Sequence, residues 1–201
     1  ESTIGGNVAE GAGGLRCKKY GVTKDYVIGL EAVLPDGSLL QTGVFNGNRG
    51  LNIGDLLISS EGTLAVITEI ALRLTPPIRR GTTILVAFDR AVDAAQTVSD
   101  ITAAGIIPTI LEFLDGDAAA CSNAYEKTEG LDKVAALLLL ETEADTGTPQ
   151  SEHIGSICRK NQCAFLRSES DPERAEELWR VRRNLSKAIK QSAAYRISED
   201  V

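Results

Sequence analysis

The 201 residues, 43% hydrophobic and 24% charged, carry enough apolar material for one sizeable core or two small ones, so a globular protein is expected. The formal net charge is -7 and the 21 basic residues are scattered, which excludes a continuous basic stripe and makes nucleic acid an unsuitable partner. No stretch approaches the length of a membrane span, the longest apolar run being Val134 to Leu140, and the first residues do not read as a signal peptide. The four cysteines, Cys17, Cys121, Cys158 and Cys163, match no CxxC zinc or redox spacing and read as small buried hydrophobes. These features predict a soluble, cytoplasmic protein. The sequence holds no Met and starts at Glu1 with a Ser-Thr-Ile-Gly-Gly run under way, so a processed or truncated piece of a longer protein is expected.

In chain order, residues 1–77 are Gly-rich and β-like. Ser2-Thr-Ile-Gly-Gly-Asn-Val-Ala-Glu-Gly-Ala-Gly-Gly14 reads as a loop whose five glycines can expose backbone N–H donors to an anion or a flat polar ring. It matches neither GxGxxG after a strand nor a P-loop, so a structural loop and a nucleotide site both stay open. Tyr26 to Leu34 alternates, Pro35-Asp36-Gly37-Ser38 is a hairpin turn, and Leu39 to Thr42 is the returning strand. Ser59-Ser-Glu-Gly-Thr-Leu-Ala-Val-Ile-Thr68 is a tight polar turn feeding a strand over 63–74, which Pro76 and Pro77 end.

From residue 78 strands and helices alternate at short spacing. Strands are expected at 82–88, 108–114, 135–142 and 163–167, and helices at 91–104, 117–127, 150–161 and 171–193. The order gives β-α-β, a helix, then a second β-α-β: a ferredoxin-like arrangement with added helices. Asp171, with Pro172 behind it, is the clearest helix start. The chain then alternates from Tyr195 to Val201 like a strand. Trp179 reads as a core anchor of the last helix and His153 as a surface residue. Arg182 and Ser186 stand four residues apart, on one helical face, and can together hold a carboxylate; alternatively Arg180, Arg182 and Arg183 form a solvated face paired with Glu173, Glu176 and Glu177.

Taken together, Ser-Thr-Ile-Gly-Gly-Asn with Ala-Gly-Gly, Tyr20-Gly-Val-Thr-Lys-Asp-Tyr-Val, Leu-Pro-Asp-Gly, and Ser-Glu-Gly-Thr-Leu-x-Val-Ile-Thr-Glu occur in this order over residues 1 to 75. This resembles the FAD-linked oxidases of the vanillyl-alcohol oxidase type, among them glycolate oxidase, D-lactate dehydrogenase and D-2-hydroxyglutarate dehydrogenase. Leu111-Glu-Phe-Leu-Asp115 and Leu178-Trp-Arg-Val-Arg182 are weaker motifs of the same family. The resemblance implies an α+β fold: residues 1–77 are the second half of a mostly β FAD-binding domain, and 78–201 a ferredoxin-like substrate cap cut short at its end.

It implies FAD bound against Ser2, Thr3, Gly5 and Gly6, with Ala9, Gly13 and Gly14 continuing under the cofactor and Gly62, Val66 and Ile67 bordering its adenine end. It implies a small 2-hydroxy acid held by Arg182, Ser186 and Arg196 and oxidised to the 2-oxo acid, with electrons passed to an acceptor that the sequence leaves open among oxygen, a quinone and an iron-sulfur partner. No catalytic residue is assigned, and the family's His-rich metal or base site is expected beyond Val201; with His153 the sole histidine, no metal is expected here. The piece alone is expected to be inactive. Relatives often carry Asn where this chain has Gly11, and Gly where it has Ser59 and Ala65. Two other readings stay open: a non-catalytic α/β module, and an oxidase or ether-lipid synthase of the same superfamily acting on a substrate that is not an acid.

Overall fold

The computed structural model describes residues 2–144 and 150–192. The chain divides into two compact units, Glu1–Pro77 and Ile78–Val201, with the boundary behind the two prolines.

The first unit is built on a three-stranded antiparallel sheet, order β2-β1-β3, from β1 (Val27–Val33), β2 (Leu39–Gln41) and β3 (Val66–Leu72). The Pro35 to Ser38 turn joins β1 to β2 as expected: the Leu34 N–H donates to the Ser38 carbonyl, and the Asp36 carboxylate accepts from the Ser38 N–H and hydroxyl. Those hydroxyl and N–H bonds hold the Asp36 carboxyl below the usual carboxylate range. The stretch read as a Gly-rich loop instead forms a short helix, α1 (Ile4–Glu10), and two further helical turns, α2 (Cys17–Tyr20) and α3 (Gly54–Leu57), carry no signal in the sequence pattern. Glycine density hides α1, because Gly lowers helix propensity; tertiary burial of Val8 with Leu30, Ala32, Leu57, Ile58 and Ala65 overrides it.

The second unit is ferredoxin-like, as expected. Its strands β4 (Arg80–Phe88), β5 (Ile110–Asp115), β6 (Ala136–Glu143) and β7 (Phe165–Glu169) form one antiparallel sheet in the order β5-β6-β4-β7. Helices α4 (Ala91–Ala103) and α6 (Gln150–Lys160) cover one face; α5 (Gly116–Tyr125) and α7 (Pro172–Ser192) cover the other. Strand alternation sorts the central residues. Ile84, Val86, Phe88, Leu138 and Leu140 pack under α4 and α6, and Leu85, Ala87, Leu137 and Leu139 under α5 and α7. Both faces being covered, β6 is apolar at consecutive positions, which is why Val134 to Leu140 reads as an unbroken run.

Helix α7 starts as predicted, the Asp171 carboxylate accepting from the N–H groups of Glu173 and Arg174 at 3.1 and 3.0 Å. Helix α5 starts ahead of the expected position because Asp115, not Asp117, caps it by accepting from the Ala118 N–H at 2.8 Å. Trp179 is buried in the α5/α7 layer and His153 is exposed, both as expected. Of the cysteines only Cys158 is fully buried, and Cys17 is exposed, against the expectation for the latter. Burial pushes the Cys158 thiol up to about 12. The strand expected from Tyr195 to Val201, and residue 193 of the last helix, lie outside the described residues. Among the described residues, no helix is long and apolar enough to cross a membrane.

Leu138, with no exposed surface at the centre of the sheet, makes the two-sided core testable. Leu138→Ala is expected to cost about 2–5 kcal/mol of unfolding free energy in denaturant titration, whereas Val92→Ala on the open side of α4 changes it by less than about 0.5 kcal/mol.

Candidate functional site

Two sets of residues carry the chemistry read from the sequence, one in each unit. In the first, the Ser2–Gly14 segment and the Ser59–Thr68 segment lie side by side. The N–H of Ser59 donates to the Val8 carbonyl at 3.2 Å and that of Glu61 to the Ala9 carbonyl at 2.9 Å, so the turn of the second motif closes on the end of α1. Thr3 caps α1 by accepting the Gly6 N–H at 3.0 Å, and the Asn7 N–H donates to the Thr3 carbonyl. Gly6 and Asn7 therefore already have partners, unlike the open loop that the composition suggested.

Around Gly5, Gly14 and Gly62 no other atom comes within contact range of where a side chain would start, so backbone there is open to a flat ligand. Gly13 instead faces Val22, and Ala9 is half-buried. Ser2 is exposed, as is the Val66 side chain, while Ile67 turns into the core of the unit. Of that pair only Val66 offers a side chain to a ligand. Open glycine backbone and an exposed apolar side chain within the same unit suit a group that combines phosphates with a planar ring.

Gly11 ends α1 in the left-handed region at φ 63°, and Ser59 opposite it is also left-handed at φ 67°. A Cβ on Gly11 would stand 1.9 Å from the Ser59 hydroxyl oxygen. The departures at Gly11 and Ser59 are thus one contact: a side chain fits on one partner or the other.

In the second unit, the Leu111 to Asp115 motif on β5 and the Leu178 to Arg182 motif on α7 meet. Leu178, Val181 and Leu185 bury in the sheet-facing stripe of α7, and Arg182, Ser186 and Ile189 continue along it to line a cavity of about 320 Å³. Glu112 pairs across the ladder with Leu139 and shares its face, the one covered by α5 and α7. There its carboxylate accepts the Arg182 Nε–H at 2.7 Å. Leu114, Ala118, Leu185 and Ile189 supply the apolar part of the wall. The β5 motif contains Glu112 without disclosing its role; the available signal is a carboxylate at an inward position of a strand otherwise apolar on that face.

The alternative of an arginine face paired within α7 holds for Arg183, which pairs with Glu176. It does not hold for the others. Arg180 reaches Glu126 beyond the end of α5, and Glu177 is taken by Arg167 of β7. The bonds to Glu169 and Glu177 raise the pKa of Arg167 further. Asn184 also donates to Glu126, and the buried Ser122 hydroxyl donates to the Val181 carbonyl at 2.7 Å, so α5 and α7 are pinned to each other. Arg196 lies outside the described residues. Among the described residues no group of three or more His, Cys, Asp or Glu could hold a metal ion.

Residues 79–201 match the family model described as FAD linked oxidases, C-terminal domain. The chain belongs to the FAD-linked oxidase family. Residues 1–43 match the model of an FAD binding domain. The glycolate oxidase subunit GlcD of Bacillus subtilis is 39% identical over 203 residues, covering 99% of this chain and 43% of that protein. The GlcD of Escherichia coli is 32% identical over 190 residues, 93% of this chain and 38% of that protein, and a D-lactate dehydrogenase of Archaeoglobus fulgidus is 40% identical over 116 residues, 57% and 26%. The chain thus spans less than half the length of the curated relatives it matches. A solved alkyldihydroxyacetonephosphate synthase superposes with a TM-score of 0.69 at 22% identity, over 91% of this chain and 37% of the synthase, which shows a shared fold. The two family models agree with the FAD-linked oxidase architecture expected from the motifs.

The Gly11–Ser59 contact predicts strong coupling in a double-mutant cycle. Gly11→Asn alone is expected to destabilise by about 1–3 kcal/mol, and Ser59→Gly alone to be neutral or stabilising by up to about 1 kcal/mol. The double variant should recover most of the loss in denaturant unfolding, whereas additive effects would show that the two positions do not compete for space.

Proposed function

We propose that the protein of which this chain forms part oxidises a small 2-hydroxy acid of the glycolate or D-lactate type to the 2-oxo acid with FAD. The observation carrying this reading is the convergence of the two motifs of the second unit on one cavity, with Arg182 and Ser186 on its wall. The names of the glycolate oxidase and D-lactate dehydrogenase relatives support the same class of substrate.

In this reading Arg182 binds the substrate carboxylate. A guanidinium offers paired N–H donors matched to the two oxygens, and fixing that end orients the C2–H bond for transfer. Among the described residues Arg182 donates to Glu112 through Nε alone, so its two terminal nitrogens are available for a second carboxylate. Ser186, one helical turn on, is the next polar group along the wall, and Arg196 adds a second cation.

Ser2, Thr3, Gly5, Gly6, Ala9, Gly13, Gly14, Gly62, Val66 and Ile67 are the proposed FAD contacts, through backbone at the open glycines and through the exposed side chain of Val66. FAD, when bound, would supply the two-electron acceptor for the hydride from C2, and the hydroxyl proton would pass to a base that is not among the assigned residues. Electrons then leave to an iron-sulfur or quinone partner. Cytoplasmic action belongs to this reading.

A second reading, a vanillyl-alcohol oxidase-type oxidase or synthase acting on a substrate without a carboxylate, draws support from Glu112, which already balances the charge of Arg182. One experiment separates the two. The flavin-loaded protein is mixed anaerobically with D-lactate or glycolate while its visible flavin bands are followed. Bleaching by the acids is expected, and Arg182→Ala should slow it about a hundredfold at fixed substrate while leaving flavin content unchanged. Bleaching that is insensitive to Arg182 favours the second reading, and a protein that takes up no FAD excludes both.

A further inference from the structure

We propose that Glu112 is a positioning residue: it holds Arg182 by Nε so that the terminal nitrogens of the guanidinium are presented to a substrate carboxylate. This rests on the reading of Arg182 given under Proposed function.

Arg182 reaches into the cavity on a long, flexible side chain from α7, and orientation of its planar head decides which pair of donors meets a ligand. A guanidinium has one edge that includes Nε and another formed by the two terminal nitrogens alone. Glu112 accepts from Nε at 2.7 Å, so the edge without Nε remains for the ligand. The anchor is rigid because Glu112 sits on β5, hydrogen-bonded into the sheet opposite Leu139, rather than on a loop.

Its location is also unusual for a merely solvated ion pair. Ile110 and Leu114, the neighbouring residues of β5 on the same face, are buried, and Leu185 and Ile189 flank Arg182 on α7. Side-chain exposure is 22% for Glu112 and 39% for Arg182, so the pair lies where the apolar layer opens into the cavity. With its charge balanced, the site selects a carboxylate by direction of its N–H groups more than by long-range attraction. The amide of Gln at this position retains an oxygen able to accept from Nε; Ala retains nothing.

The test is steady-state and anaerobic flavin reduction by the flavin-loaded protein, with D-lactate and with lactamide, which lacks the carboxylate. Flavin content and thermal unfolding serve as controls for each variant. Glu112→Ala is expected to raise KM for D-lactate about tenfold or more, with a rise for lactamide at least about threefold smaller, and Glu112→Gln to stay within about threefold of the parent. If Glu112→Ala does not fold, Glu112→Asp, whose shorter side chain withdraws from Nε, should still raise KM more for the acid than for the amide. An unchanged KM for D-lactate in these variants, an equal loss with acid and amide, or no rescue by Gln overturns the positioning role. Arg182→Ala separates this from the underlying reading. If it raises KM for D-lactate while Glu112→Ala does not, Arg182 binds the acid without help from Glu112; if Arg182→Ala is also without effect, the carboxylate-binding reading itself fails.

Discussion

The second unit depends on a sheet covered by helices on both faces. Because β4 and β6 lie between two helical layers, consecutive residues in them bury in opposite directions, and Ile84 to Phe88 and Ala136 to Leu140 admit no polar side chain. Polar side chains are tolerated at the edges of this sandwich, and β5 is such an edge. The constraint decides where a binding site is possible: an ionisable residue turned inward on β5 must meet a partner from the covering helix or remain uncompensated. Glu112 meets Arg182. The cavity between β5 and α7 is thus a consequence of where the apolar layer ends, and the helix pair α5/α7, pinned by Ser122 to the Val181 carbonyl and by Glu126 to Arg180 and Asn184, keeps its wall in place.

The first unit solves a different problem with backbone instead of side chains. Its small core, centred on Val8, Leu30, Ala32 and Leu57, is closed by hydrogen bonds from the Ser59–Glu61 turn to the end of α1. Close approach of two chain segments leaves room for one side chain where Gly11 and Ser59 face each other, and both residues adopt left-handed backbone to make the crossing. The same economy of side chains leaves Gly5, Gly14 and Gly62 uncovered. Glycines in this segment therefore divide into one that is required by packing and several that leave backbone accessible, a distinction that composition alone does not make.

That distinction marks the limit of what the sequence discloses. Among the described residues of the second unit, α4, α6 and α7 are legible from their apolar stripes, β6 from an unbroken apolar run of strand length, and Asp171 and Trp179 can be read individually, one as a cap and one as a core anchor. Boundaries move by a few residues where capping decides them, as Asp115 does for α5. The helix α1 is hard to read because two glycines in a seven-residue segment mask it; the Thr3 cap, the left-handed Gly11 at its end and burial of Val8 together make it fold so. Ordered motifs reveal the family, since spacing along a chain survives without knowledge of contacts. Glu112 stays silent because its meaning depends on a residue 70 positions away, and no local pattern reports that pairing.

The pairing also bears on why a carboxylate site would carry its own carboxylate. A guanidinium beside Leu114, Leu185 and Ile189 with no counter-charge would lose hydration without replacement, and a side chain as flexible as Arg would turn its head toward solvent. Glu112 removes both difficulties while the cavity is empty, at the cost of the long-range attraction that a bare cation exerts on an anion. In the proposed reading, a substrate brings a second negative charge onto one guanidinium, so the bound state is net anionic unless other donors share it. In that reading Ser186, one turn along the same stripe, and Arg196 are the groups that would share the charge. A single arginine would then orient the acid, and the remaining polar groups would determine how tightly it is held.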